Sequence, residues 1–194
     1  MGRPTLASIQ VATTDRLLRA AEQVFARDGL QGARLADIAQ EAGITRASLL
    51  YHFETKEALH EAVVEGALGS LAAILASAMQ APGGFRDRVD GVLEAFFTFV
   101  DVHPALTRIV VREVIAGNAR VAEQARPVLD AVVAFVEREH TRRDLARDAR
   151  ASLMMVVSDT FLRAASAELA SPLWGTHVAP RALARRVLLG EENR

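Results

Sequence analysis

Apolar residues in this chain recur at three- and four-residue intervals, and strand-like alternation is absent throughout. That one feature restricts the fold to an all-α architecture. From Asp15 to Asp28, Leu17, Leu18, Ala21, Val24 and Phe25 fall on one helical face, with Thr14 as a predicted N-cap and Gly29 as a stop. A short helix is predicted from about Leu35 to Glu41, ending at Gly43, and another from after Thr45 to near Phe53. Thr55 then caps a long helix running towards Gln80. Ala81-Pro82-Gly83-Gly84 is the clearest break. Beyond it lie helical stretches at Phe85 to Val102, after Pro104, Val121 to His140, Ala149 to Ala170 and Pro180 to Leu189. The expected organisation is about nine helices in two domains. Residues 1–56 form a three-helix head, and residues 57–194 form a larger apolar bundle.

Composition narrows the function classes. Of 194 residues, 51% are hydrophobic and 24% charged, enough for a core and a solvated surface. There is no cysteine, so disulfides, thiol nucleophiles and zinc–thiolate sites are excluded. The five histidines do not pair at a helical ligand spacing, and no metal site or cofactor is expected. No signal-type segment follows Met1, and the apolar runs are interrupted by charges such as Asp90, Glu94 and Asp101. The expected location is cytoplasmic, with no membrane partner. A net charge of −1 gives no global case for nucleic acid, so any such case must be local.

The local case lies in LADIAQEAGITRASLLYHF. Gly43 follows Ala39 by four positions and Leu49 follows Gly43 by six. A small residue for close packing, a glycine for the turn and an apolar anchor on the second helix make the helix-turn-helix spacing. Thr45 caps the second helix, and Arg46, Ala47 and Ser48 occupy its first turn, the part of a recognition helix that reaches base edges. A structural hairpin that binds nothing is the alternative on spacing alone. Directly afterwards come the only tyrosine, Tyr51, and the only lysine, Lys56, in a chain whose 22 other basic residues are arginine. Tyr51, His52 and Lys56 can all donate to phosphate oxygens, contacts that set register without reading sequence. Lysine is a compact point charge for which arginine is no neutral substitute. The alternative is chance clustering, with Tyr51 half-buried and Lys56 solvated.

GITRASLLYHFETKEAL, with the preceding RLLRAAEQVFARDGLQGARLADIAQEA, resembles the recognition region of the tetracycline-repressor (TetR) family of bacterial regulators. The resemblance spans roughly Arg16 to Leu59. It implies a DNA-binding head on a body that dimerises and usually binds a small ligand. By that resemblance Thr45, Tyr51, His52 and Lys56 match phosphate-contacting positions, and Arg46, Ala47 and Ser48 match base-facing ones. Two departures stand out. Leu50 replaces the usual tyrosine, and Arg34 replaces the usual threonine. Arg34 cannot cap a helix as threonine does but can reach a phosphate. Met1 to His60 carries seven basic and seven acidic residues, so few ionic phosphate contacts and a modest salt dependence are expected.

The body shows no glycine-rich phosphate loop, no G-x-S-x-G and no carboxylate pair spaced for acid–base work, so an enzyme is not expected. Phe96, Phe97, Val100 and Phe135 could line a small-molecule pocket, with His103, Thr107, Arg108 and Asp159 as its polar groups. Aromatics at helical spacing are more commonly core, and Asp159 more commonly an ion-paired interface charge. Leu153, Val156, Val157, Thr160 and Ala164 form a small-residue stripe that, with Leu183 and Val187, could pair with a second chain. In the family the last two helices form the dimer interface.

The expectation is therefore a homodimeric repressor that binds a near-palindromic operator in double-stranded DNA and is released by a small-molecule effector. The alternative is a DNA-bound scaffold that recruits a protein partner without an effector. A helical enzyme or carrier is the third reading, and burial of Tyr51, His52 and Lys56 would favour it.

Overall fold

The computed structural model describes residues 6–139, 149–166, 172–175 and 180–189. These residues form nine helices and a further helical stretch at 172–174; no strand occurs among them. They are α1 (Leu6–Gly32), α2 (Leu35–Glu41), α3 (Arg46–His52), α4 (Lys56–Met79), α5 (Phe85–Val102), α6 (Pro104–Ile115), α7 (Ala119–Glu139), α8 (Ala149–Ala165) and α9 (Pro180–Leu189). Two compact units divide the chain at Ala67 and Leu68, so α4 contributes to both. The sequence reading placed the boundary earlier, at the start of α4.

The first unit packs α2 against α1 and α3. Leu17, Ala21, Val24 and Phe25 are buried, as are Ile38, Ala39, Leu49 and Leu59. The Phe25 ring and the buried His60 imidazole form a T-shaped pair with centroids 4.9 Å apart. One predicted cap is corrected. Thr14 lies inside α1, which begins at Leu6 and runs past it. Its hydroxyl donates back to the Gln10 carbonyl at 3.1 Å. Gly29 does interrupt helical geometry, with φ of 69°.

In the second unit, α8 packs against α6, α7 and α9, and α9 also packs on α5. The acidic residues that interrupt α5's apolar run turn out to bind α9. Arg185 donates to Asp90 at 2.7 Å, and Arg181 donates to Glu94 at 3.3 Å and Asp101 at 3.0 Å. Arg181 also lies over the Phe97 ring, 5.0 Å from its centre. Its guanidinium is held above its usual pKa chiefly by the hydrogen bond to Asp101. Such exposed pairs contribute about 0–1 kcal/mol each, so they orient α9 more than they stabilise it.

Among the described residues, α4 is long and apolar enough to cross a bilayer by length and composition. The apolar character has another cause: Leu59, Val63 and Val64 are buried on the head side of the division, and Leu68, Leu71 and Leu75 on the body side.

Candidate nucleic-acid interface

The helix-turn-helix is built from hydrogen bonds that its own residues dictate. Gly43 adopts φ of 67°, a left-handed conformation open to glycine at little cost. The Gly43 N–H donates to the Gln40 carbonyl at 3.0 Å, and the Ile44 N–H donates to Ala39 at 2.9 Å. That pair of bonds is the Schellman closure of a helix end, and it turns the chain sharply out of α2. Two residues later the Thr45 hydroxyl accepts from the Ser48 N–H at 3.1 Å and starts α3. Thr45→Ala should cost about 1 kcal/mol of head stability, read by urea unfolding, because the cap is lost. Leu49, fully buried, anchors α3 from beneath.

These contacts leave the other side of α3 in solvent. Thr45, Arg46 and Ala47 are exposed and Ser48 is half-buried. Tyr51 is 77% exposed, and its ring meets His52 edge-on at 5.5 Å. His52 is half-buried, hydrogen-bonded through Nδ1 to Thr14 Oγ1 at 3.3 Å. Lys56 is also half-buried, and its ammonium donates to the carbonyls of Gln31 (3.3 Å) and Ala33 (3.1 Å). Neither bond was foreseen, because backbone carbonyls leave no trace in residue identity. Arg34 precedes α2, exposed and without a side-chain capping bond. Leu50 is exposed beside Tyr51.

The body residues separate differently. Phe96, Phe97 and Val100 are buried. Phe96 lies 5.7 Å from the Phe97 ring and stacks at 5.7 Å on Phe161, so these aromatics pack on one another. Thr107 is buried with its hydroxyl donating to the His103 carbonyl at 3.1 Å, and the His103 ring lies against Phe99. Arg108 points to solvent. Asp159 accepts from Arg163 at 2.8 Å and from the Trp174 indole at 2.9 Å, the paired-charge arrangement. Of the candidate ligand residues, Phe135 lines a groove of about 700 Å³, and Asp159 lines a much smaller one between α8 and α9. The sequence reading missed the other walls of the larger groove: Ala76 and Met79 of α4 with Gln80 just after it, Arg88 of α5, and Ala131, Ala134 and Arg138 of α7. The α7 positions share one helical face, as do Ala76 and Met79 of α4, but nothing in their spacing joins the two faces. Of the candidate interface residues, Leu153, Val156 and Thr160 are buried within the unit. Val157, Ala164, Leu183 and Val187 are half-buried, whereas Met154, Met155 and Leu162 are exposed on α8. Among the described residues, no group of three or more histidines and carboxylates is placed to hold a metal ion.

This geometry defines a helix-turn-helix protein: a short positioning helix, a glycine turn, and a second helix whose outer face is free. The sequence model of the bacterial regulatory proteins of the tetR family matches residues 17–63, the head of this chain. The transcriptional activator FasR of Mycolicibacterium smegmatis is 28% identical over 116 residues, 60% of this chain and 53% of its own. The transcriptional repressor KstR2 of Mycobacterium tuberculosis is 33% identical over 89 residues, 46% of this chain and 44% of its own. The matched stretch thus spans about half the length of these relatives. Among solved structures, the fatty acid degradation regulator FadR from Bacillus halodurans has a TM-score of 0.71 at 16% identity, covering 97% of this chain and 95% of that one. FadR from Bacillus subtilis, solved with stearoyl-CoA, has a TM-score of 0.65 at 15% identity, covering 90% and 95%.

Proposed function

We propose that this protein is a DNA-binding transcriptional repressor that acts as a homodimer and is released from its operator by a small molecule. The observation that carries the reading is the head. A Schellman turn and a threonine cap aim Arg46, Ala47 and Ser48 outward, and Tyr51 stands exposed at the end of the same helix. Recognition helices present that part of themselves to base edges, and flanking donors take the phosphates.

For the dimer, the exposed Met154, Met155 and Leu162 of α8, bordered by the half-buried Leu183 and Val187 of α9, are the face we assign to a second copy. A two-fold partner would set two heads on half-sites about one helical turn, roughly 34 Å, apart. For the effector, we favour the groove of Arg88, Arg138 and Phe135 over the packed aromatic core. It offers an apolar floor with two guanidinium side chains, which suits an amphipathic anion. Stearoyl-CoA, seen with the FadR structure from Bacillus subtilis, is therefore the first probe. Release is a population shift: the ligand must favour a spacing of the heads that misses the half-sites. We place the coupling in α4, one unbroken helix that belongs to both units.

The test is capture of fragmented genomic DNA by the purified protein, followed by affinity measurements on the recovered sites. A few near-palindromic sequences should be enriched. Because acidic residues balance basic ones in the first sixty residues, log K against log salt should fall with a slope shallower than about −5. Stearoyl-CoA should weaken binding; a ligand-bound dimer with unchanged operator affinity contradicts the release mechanism. The scaffold reading draws on the closed aromatic core and the exposed Val114 and Ile115 of α6. It predicts operator affinity that no small molecule alters.

A further inference from the structure

We propose that Lys56 is a positioning residue, a clasp that sets the recognition helix. The inference rests on the DNA-binding reading above and revises what its lone lysine does. The helix-turn-helix occupies residues 35 to 52. The chain enters it through Gln31, Gly32, Ala33 and Arg34, and leaves it through Phe53, Glu54 and Thr55. The Lys56 ammonium, the first residue after the exit, donates to the Gln31 and Ala33 carbonyls on the entry side at 3.3 and 3.1 Å. One side chain therefore closes a loop of more than twenty residues around the entire motif.

Three further observations agree. The last turn of α1 contains no basic residue, so its carbonyl end takes its cation from α4. Arg34, the residue before α2, makes no side-chain capping bond, so α2's own start does not fix the entry. At the exit, His52 is tied to α1 through Thr14 at 3.3 Å, which leaves Lys56 to tie the entry to the exit. The clasp also accounts for a lysine in an arginine-rich chain. A small ammonium with three rotatable donors can satisfy two separate carbonyls, whereas a planar guanidinium presents a fork that matches a carboxylate or phosphate. With two of its three N–H groups on carbonyls, Lys56 has at most one left for DNA.

The roles separate by specificity. A lost phosphate contact weakens operator and non-specific duplex alike and lowers the salt slope by about one. A displaced recognition helix loses operator affinity but keeps the ionic, sequence-independent part. The experiment compares wild type, Lys56→Met, Lys56→Arg, and each variant combined with Arg34→Thr, which supplies the missing cap. Operator recovered by genomic capture and an unrelated duplex are titrated across a salt series, with melting temperatures alongside. We expect both single variants to lose about tenfold or more in operator affinity, with non-specific affinity and salt slope unchanged. Arg34→Thr should recover part of the loss. If Lys56→Met does not fold, Lys56→Arg carries the comparison. Lys56→Arg binding as wild type overturns the proposal, as does a parallel loss on both duplexes with a reduced slope. Lower melting temperatures with normal operator affinity also overturn it, reducing Lys56 to a stabilising contact. Wild-type protein that selects no sequence overturns the DNA-binding reading itself, and the inference with it.

Discussion

Leu49→Ala is expected to destabilise the protein by about 2–5 kcal/mol and to abolish sequence-selective DNA binding. Leu49 is fully buried and is the one buried residue of α3. Removing its side chain deletes the apolar surface holding the recognition helix and leaves a cavity that seven helical residues cannot fill by shifting. The compact unit that contains it ends at Ala67, and a unit of that size has a total stability of only about 3–10 kcal/mol. The loss is therefore comparable with everything that keeps the head folded. Urea unfolding followed by circular dichroism measures the cost, and operator titration measures the consequence. Leu50→Ala is the control. Leu50 is exposed one position away and should change stability by no more than about 0.5 kcal/mol. A Leu49→Ala protein within that same range would refute the anchoring role.

The second large effect concerns assembly. Met155→Arg combined with Leu162→Arg should convert the proposed dimer to monomer at micromolar concentration and reduce operator affinity more than about a hundredfold. Met155 and Leu162 are 57% and 45% exposed, so neither change disturbs the bundle of a single chain. In a two-fold interface each substitution occurs twice and buries a charge with no partner, a penalty of several kcal/mol per ion. The affinity loss follows because a monomer forfeits the linked second half-site. Sedimentation equilibrium reads the first effect and gel shift the second. Arg150→Ala is the comparison: Arg150 pairs with Asp130 on the exposed surface, and losing such a pair should leave both measurements nearly unchanged. A double variant that still sediments as a dimer would move the interface elsewhere.

Legibility followed the range of the interactions. The limits of α2, α3 and α5 could be read directly because short-range devices end or begin them: Gly43 with φ of 67°, the Thr45 cap and the Gly83-Gly84 break. Thr14 was misread because a threonine can end a helix or sit within one, and only the residues before it decide. The packing of the pocket candidates was hidden for a different reason. Phe96 and Phe97 have the same helical spacing whether they face a cavity or one another, and Phe161, which closes the space, lies over sixty residues away. The α8 stripe was ambiguous in the same way. In LMMVVSDTFL apolar side chains occur on several faces, so periodicity cannot rank them, and packing against α6, α7 and α9 put Leu153, Val156 and Thr160 inside.

By itself the sequence determined an all-helical chain with a glycine turn between two short helices, the second presenting Thr45, Arg46, Ala47 and Tyr51 outward. Each of these depends on bonds and φ angles within about six residues, and residue identity encodes them. Tertiary structure alone decided where the Lys56 ammonium went, which face of α8 stayed exposed and which residues of α4, α5 and α7 border the groove. Those outcomes depend on carbonyls and side chains brought together from distant parts of the chain, and no local pattern specifies which partner will be there.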